Sequence, residues 1–132
     1  MQLDFVFNCA AISVLKDCEK FPEKAWETNV PVALIEGLQN AKSTALFVHF
    51  SSDQVYPGDK SSSWTEDVVP SPINAYGRSK LAAEVFICEN LDNFLIFRSS
   101  LICGPSLPLK RELFLQVRNE NRAYTAPHFL TP

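Results

Sequence analysis

Glycine is scarce in this chain, the cysteines are unpaired in sequence, and no long apolar run is present. The 132 residues hold four glycines, Gly37, Gly58, Gly77 and Gly104, too scattered to form a glycine-rich phosphate loop. Cys9, Cys18, Cys88 and Cys103 make no C-x-x-C pair and have no histidine nearby, which argues against a zinc or other metal site. Counting leaves disulfides open, but Cys9 and Cys103 lie in or just after strand-like runs, which favours buried thiols. No apolar run reaches the ~18 residues of a membrane span. Met1-Gln2-Leu3-Asp4 lacks the basic start of a signal peptide. Positive charge is in no excess either. A net charge of -3 gives no reason to expect nucleic acid or an anionic membrane as a partner. Together these absences point to a cytoplasmic protein. Ten phenylalanines suit a packed sheet and argue against disorder.

Three apolar runs organise the chain. Asp4–Ala11 opens with a continuous run, the look of a strand buried on both faces in a parallel sheet. Thr44–Ser51 and Asn93–Ser99 read as the second and third strands. Between the first two, a polar connection leads to Phe21-Pro22-Glu23-Lys24, a helix start with proline in the first turn. Ala25, Trp26, Asn29, Val30, Ala33, Leu34, Gly37 and Leu38 recur at helical spacing, with Pro31 predicting a bend or a restart. A long loop over 53–73, rich in Pro, Ser and Asp, precedes a helix from about Tyr76 to Asn90. Gly104-Pro105 breaks the chain, Leu109–Asn119 reads as an amphipathic helix, and residues 121–132 form an irregular tail. Strands alternating with helices mean parallel α/β with right-handed crossovers.

The chemistry concentrates in Tyr76-Gly77-Arg78-Ser79-Lys80. Residues at i and i+4 share a helix face, so the Lys80 ammonium can sit beside the Tyr76 phenol. A nearby cation favours phenolate and lowers a pKa that is ordinarily about 10. A phenol tuned this way exchanges a proton with a carbonyl or alcohol near neutral pH. Ser51-Ser52-Asp53 closes the second strand, where a hydroxyl partner would stand. The plain alternatives are a strand-end hydroxyl for Ser52, a loop cap for Asp53, a surface residue for Asn29 and an exposed helix pair for Tyr76 and Lys80. His49 reads as a packed histidine, and Trp26 and Trp64 as packing residues.

Taken in order, several segments resemble the extended short-chain dehydrogenase/reductases. These are Asn8-Cys9-Ala10-Ala11, Asn29, Ser51-Ser52-Asp53-Gln54-Val55-Tyr56, Thr65-Glu66-Asp67, Pro72 to Leu81 and Arg98-Ser99-Ser100. Within that superfamily they resemble the dTDP-4-dehydrorhamnose reductase-like group, which includes the regulatory beta subunit of methionine adenosyltransferase. The resemblance implies a partial Rossmann-like doubly wound parallel sheet over residues 1–120, its strands 4, 5 and 6. It implies Tyr76 as proton donor, Lys80 lowering its pKa and holding the nicotinamide ribose, and Ser52 bonding the substrate carbonyl. Asp53 would lie beside the substrate. Ala11, Ile12 and Ser13 would lie along an NADP or NAD cofactor, with the Phe50 backbone facing its nicotinamide side. Asn29 would support the site.

Two departures accompany this likeness. The family's glycine-rich loop belongs between a first strand and first helix that this chain does not show. The substrate lobe would begin about where the chain stops. The chain therefore reads as the middle of a larger reductase. Leu101 stands where rhamnose-type reductases carry an aromatic residue. The first functional expectation is NAD(P)H-dependent reduction of a keto group on a nucleotide sugar. The alternative is a non-catalytic regulatory subunit with a protein partner of the methionine adenosyltransferase type.

Overall fold

The computed structural model describes residues 3–58 and 64–100, and the backbone of 128–130. The element order is β1 (Phe5–Asn8), α1 (Leu15–Lys20), α2 (Pro22–Asn29), α3 (Val32–Asn40), β2 (Leu46–Ser52), a 3-10 turn (Asp53–Val55), α4 (Ala75–Asn90), β3 (Phe94–Ser99) and β4 (His128–Leu130). β1 pairs parallel with β2 from Phe5↔Leu46 to Asn8↔His49. β2 pairs parallel with β3 from Phe47↔Phe94 to Ser52↔Ser99. The three apolar runs are therefore adjacent parallel strands, with helices in both connections. β4 adds an antiparallel strand beside β3, with Phe97 opposite Phe129. It falls within the stretch read as an irregular tail. The expected helix Leu109–Asn119 lies outside the described residues.

Proline sets the helix boundaries between β1 and β2. Pro22 occupies the first turn of α2, where its missing N–H costs nothing. Pro31 ends the run that began there. Val30 closes α2, and Pro31 precedes the first turn of α3. The restart changes the phase of the buried face. Ile35 is fully buried, whereas Leu34, predicted to face the core, is 40% exposed. α1 was expected as a polar connection; it is a short helix whose buried residue is Cys18.

Ile35 from α3, Phe47 from β2, Ile87 from α4, and Phe94 and Ile96 from β3 form the main core. Burial of each such side chain stabilises the fold by about 1.5–3 kcal/mol. All lie on the sheet face covered by α3 and α4. The opposite face is more open. Phe5 is 57% and Phe7 61% exposed, and they stack on each other at 6.1 Å. Phe50 stacks on Phe97 at 5.5 Å. β1 is thus buried on one face, not on both, because no described element packs over Phe5 and Phe7. The thiols also depart from expectation. Cys18 is buried, but Cys9 and Cys88 are exposed, and all three are free. Cys103 lies outside the described residues. Among the described residues no helix is long and apolar enough to cross a membrane.

Candidate active site

α4 is aimed at the end of β2 by its own N-terminus. Asn74 caps it, accepting from Gly77 N at 2.7 Å, and Glu19 Oε1 accepts from Ala75 N at 2.6 Å. Asn74 Nδ2 donates to Gln54 Oε1 at 2.8 Å, tying the helix start to the 3-10 turn after β2. Gly77 is buried against that turn, which leaves no space for a side chain. The first turn of α4 therefore sits directly beside Ser52.

The arrangement brings Tyr76 within hydrogen-bonding reach of the Ser52 side chain. Ser52 Oγ also donates to Asp53 Oδ1 at 3.1 Å and accepts from Gln54 N at 3.2 Å. Ser52, Asp53 and Tyr76 thus meet at the carboxyl end of β2, where open α/β sheets bind their ligands. Tyr76 also packs against Cys18, Ala25 and Ala75.

The electrostatics of Tyr76 reverse the expectation. Burial holds its phenol above the ordinary value; the Ser52 hydrogen bond pulls it down, and negative charge at Cys18 and Asp53 adds to the rise. The cation expected to lower it is engaged elsewhere. Lys80 is 1% exposed and donates from Nζ to the Phe50 carbonyl at 2.6 Å, with His49 Nε2 at 3.2 Å. Burial lowers Lys80 to about 8, against an opposing pull from Glu84 and Cys9. The phenol beside the Ser52 hydroxyl is therefore in its neutral form at neutral pH.

The loop after β1 is pinned by Asn29. Ile12 N donates to Asn29 Oδ1 at 2.7 Å, while Asn29 Nδ2 donates to Ile12 O at 3.1 Å and to Ser79 Oγ at 2.8 Å. Ser79 Oγ in turn donates to Tyr76 O at 2.8 Å. Ala11 and Ser13 flank Ile12 in exposed positions. One fully buried amide therefore fixes the loop against the helix that carries Tyr76 and Lys80. Among the described residues no group of three or more His, Cys, Asp or Glu could hold a metal ion.

The sequence profile described as the RmlD substrate binding domain matches residues 1–120. The chain belongs to the RmlD substrate-binding-domain family. It is 36% identical to dTDP-4-dehydrorhamnose reductase of Salmonella typhimurium over 101 residues, 75% of this chain and 33% of that protein. It is 27% identical to the beta subunit of methionine adenosyltransferase 2 from Rattus norvegicus over 128 residues, 94% of this chain and 38% of that one. Among solved structures it resembles a dTDP-4-dehydrorhamnose reductase from Bacillus anthracis in complex with NADP. The TM-score is 0.72 at 28% identity, over 90% of this chain and 42% of that one. The chain spans about a third of the length of the curated reductases it matches.

Several residues that shape this RmlD-family site were given no role by the sequence. Ser79 lies inside Tyr76–Lys80 but looks like an ordinary helix serine. Asn8 reaches His49 through the pairing of β1 with β2, and His49 in turn reaches Lys80. Glu84 and Arg98 form a buried ion pair behind the site, with Arg98 Nη2 donating to Glu84 Oε2 at 2.7 Å. Arg98 Nη1 donates to Tyr56 Oη at 3.0 Å, and Ser51 Oγ donates to Glu84 Oε1. The advance signs of that pair were charge within otherwise apolar runs and the place of Arg98 in Arg98-Ser99-Ser100.

Proposed function

We propose that this chain carries the proton-donating side of a nucleotide-sugar ketoreductase site. Tyr76 Oη delivers the proton to the substrate oxygen, and Ser52 holds that oxygen by a hydrogen bond. The observation that carries the reading is the meeting of a half-buried, protonated Tyr76 with Ser52 at the carboxyl end of β2. Asp53 lies beside Ser52, in position to bond a sugar hydroxyl. The relatives' names supply the substrate class, a dTDP-4-dehydro sugar, and the solved relative's NADP supplies the cofactor class.

The residues present fit one end of such a dinucleotide. Phe50 and Lys80 would border the nicotinamide side, and the loop Ala11, Ile12 and Ser13, pinned through Ile12 by Asn29, would lie beside it. No glycine-rich loop exists in this sequence to cradle a pyrophosphate. When bound, the nicotinamide supplies the hydride. This chain's own residues, Ser52 and Tyr76, hold the carbonyl and furnish the proton.

The test is a chimera in which this chain replaces the matching third of the Salmonella reductase. NADPH oxidation that depends on a dTDP-4-dehydro sugar supports the reading. A folded chimera that binds NADPH but never oxidises it contradicts it.

A regulatory-subunit reading is favoured by the span of the rat beta-subunit match, 94% of the chain, and by Leu101. Its mark is co-purification of the chain with a methionine adenosyltransferase catalytic subunit, unaffected by Tyr76→Phe.

A further inference from the structure

Asn8, His49 and Lys80 stand in line behind the site, one from each of β1, β2 and α4. Asn8 Nδ2 lies 3.0 Å from His49 Nδ1, and Lys80 Nζ lies 3.2 Å from His49 Nε2. His49 is fully buried, and Lys80 and Asn8 nearly so. Each hydrogen on these atoms must therefore find its acceptor within the protein.

A neutral imidazole has one N–H and one lone pair. A Lys80 ammonium donating to Nε2 requires the lone pair there, and so the hydrogen on Nδ1. An Asn8 amide donating to Nδ1 requires the opposite. The two cannot hold together. The Asn8 amide is oriented by Ala10 N, which donates to Asn8 Oδ1 at 3.3 Å. That orientation turns the amide NH2 toward Nδ1, so the hydrogen is on Nε2 and Lys80 accepts it as a neutral amine. A charged Lys80 needs the other set: hydrogen on Nδ1, the Asn8 amide turned over to accept it, and the Ala10 bond given up.

We propose that His49 is a positioning residue that couples the charge of Lys80 to its own tautomer, with the Asn8 amide turning in step. When Lys80 loses its proton, one proton leaves to solvent and the imidazole hydrogen moves from Nδ1 to Nε2. The imidazole itself stays neutral. Burial first, then the charge of Lys80, lowers His49 to about 3, well below the range in which Lys80 titrates. The other groups around Lys80 are the Cys9 thiol after β1, Tyr76 one turn earlier on α4, and Glu84 one turn later. Glu84 is held by Arg98 from β3 and Ser51 from β2. None of these offers a second hydrogen-bonding pattern matched to the two charge states of Lys80, as the imidazole does.

The inference rests on the proposed function only for what Lys80 does for a ligand; the coupling itself stands on the three side chains. The test uses the full chain labelled with 15N-histidine, His49 being identified by the signals lost in His49→Gln. Two-bond 1H–15N spectra are followed from about pH 6 to about pH 10. The expected result is an Nδ1–H tautomer at the acid end and an Nε2–H tautomer at the alkaline end. The midpoint falls near pH 8 and coincides with the Lys80 13Cε titration. Lys80→Met should hold one tautomer at every pH. A single tautomer across the range in the unaltered chain overturns the proposal, as does a switch that survives Lys80→Met. If Lys80→Met does not fold, the two midpoints in the unaltered chain decide, and a gap above about one pH unit overturns it. Because the readout is not turnover, a failed coupling leaves the reductase reading standing, and a failed reductase assay leaves the coupling standing.

Discussion

At Gly77 a missing side chain lets helix and turn close on each other. A Cβ built there collides with the Gln54 carbonyl oxygen and comes within 2.9 Å of Pro72 Cβ. The carbonyl is backbone and cannot swing away, so Gly77→Ala should cost about 1–3 kcal/mol by overpacking and push Tyr76 away from Ser52. Urea denaturation checks this, and an unchanged midpoint would count against the close approach. Glu84 and Arg98 illustrate a different residue-scale cost. Arg98→Met leaves a buried carboxylate without its partner and should lose about 3–5 kcal/mol, whereas replacing both partners by apolar residues should recover most of that. A double replacement no better than the single one would contradict the pairing. His49 predicts a pH effect. Its folded-state pKa of about 3 lies below the 6.5 expected unfolded, so the unfolded chain binds the extra proton between those values and stability falls as pH drops through them. His49→Gln should flatten the acid limb of the stability profile between pH 6.5 and 4, to within about half a unit of those limits. Equal slopes in the two proteins would remove His49 as the cause.

At the scale of elements, α3 tests how Pro31 resets the chain. Ile35 is fully buried and Leu34 40% exposed. Ile35→Ala should therefore cost about 2–5 kcal/mol and Leu34→Ala well under half as much, measured by thermal or urea unfolding. The reverse order would mean that the helix is rotated. The same element shows why some of the fold was legible in the residues and some was not. β1, β2 and β3 announced themselves because strands in a parallel sheet are apolar along their length. α4 did so through good helix formers behind an asparagine cap. The face of α3 was misread because a continuous 3.6-residue period was carried across a proline that breaks it. α1 was missed because six residues with Cys18 as the buried one carry almost no periodicity. The meeting of Tyr76 with Ser52 was legible, since the start of α4 follows the end of β2 in the chain. The partner of Lys80 was not, because Phe50 O and His49 approach it through the register of β2 under α4, which no local pattern encodes.

For the whole molecule, the two faces of the sheet are unequal. α3 and α4 cover one, while Phe5 and Phe7 stand more than half exposed on the other at the edge strand β1. An apolar edge of this kind is a template for further strand pairing, so the chain on its own should self-associate with rising concentration, and Phe5→Lys with Phe7→Lys should suppress this. Sedimentation that shows a monomer at all concentrations would contradict that expectation. The central claim is that Tyr76 gives the proton in a sugar-reducing site, and the chimera with the Salmonella reductase tests it most directly. Substrate-dependent NADPH oxidation is measured with and without Tyr76→Phe, alongside the NADPH dissociation constant. The account predicts a rate lower by about 10²–10⁴-fold with NADPH affinity nearly unchanged. An undiminished rate in Tyr76→Phe would contradict it.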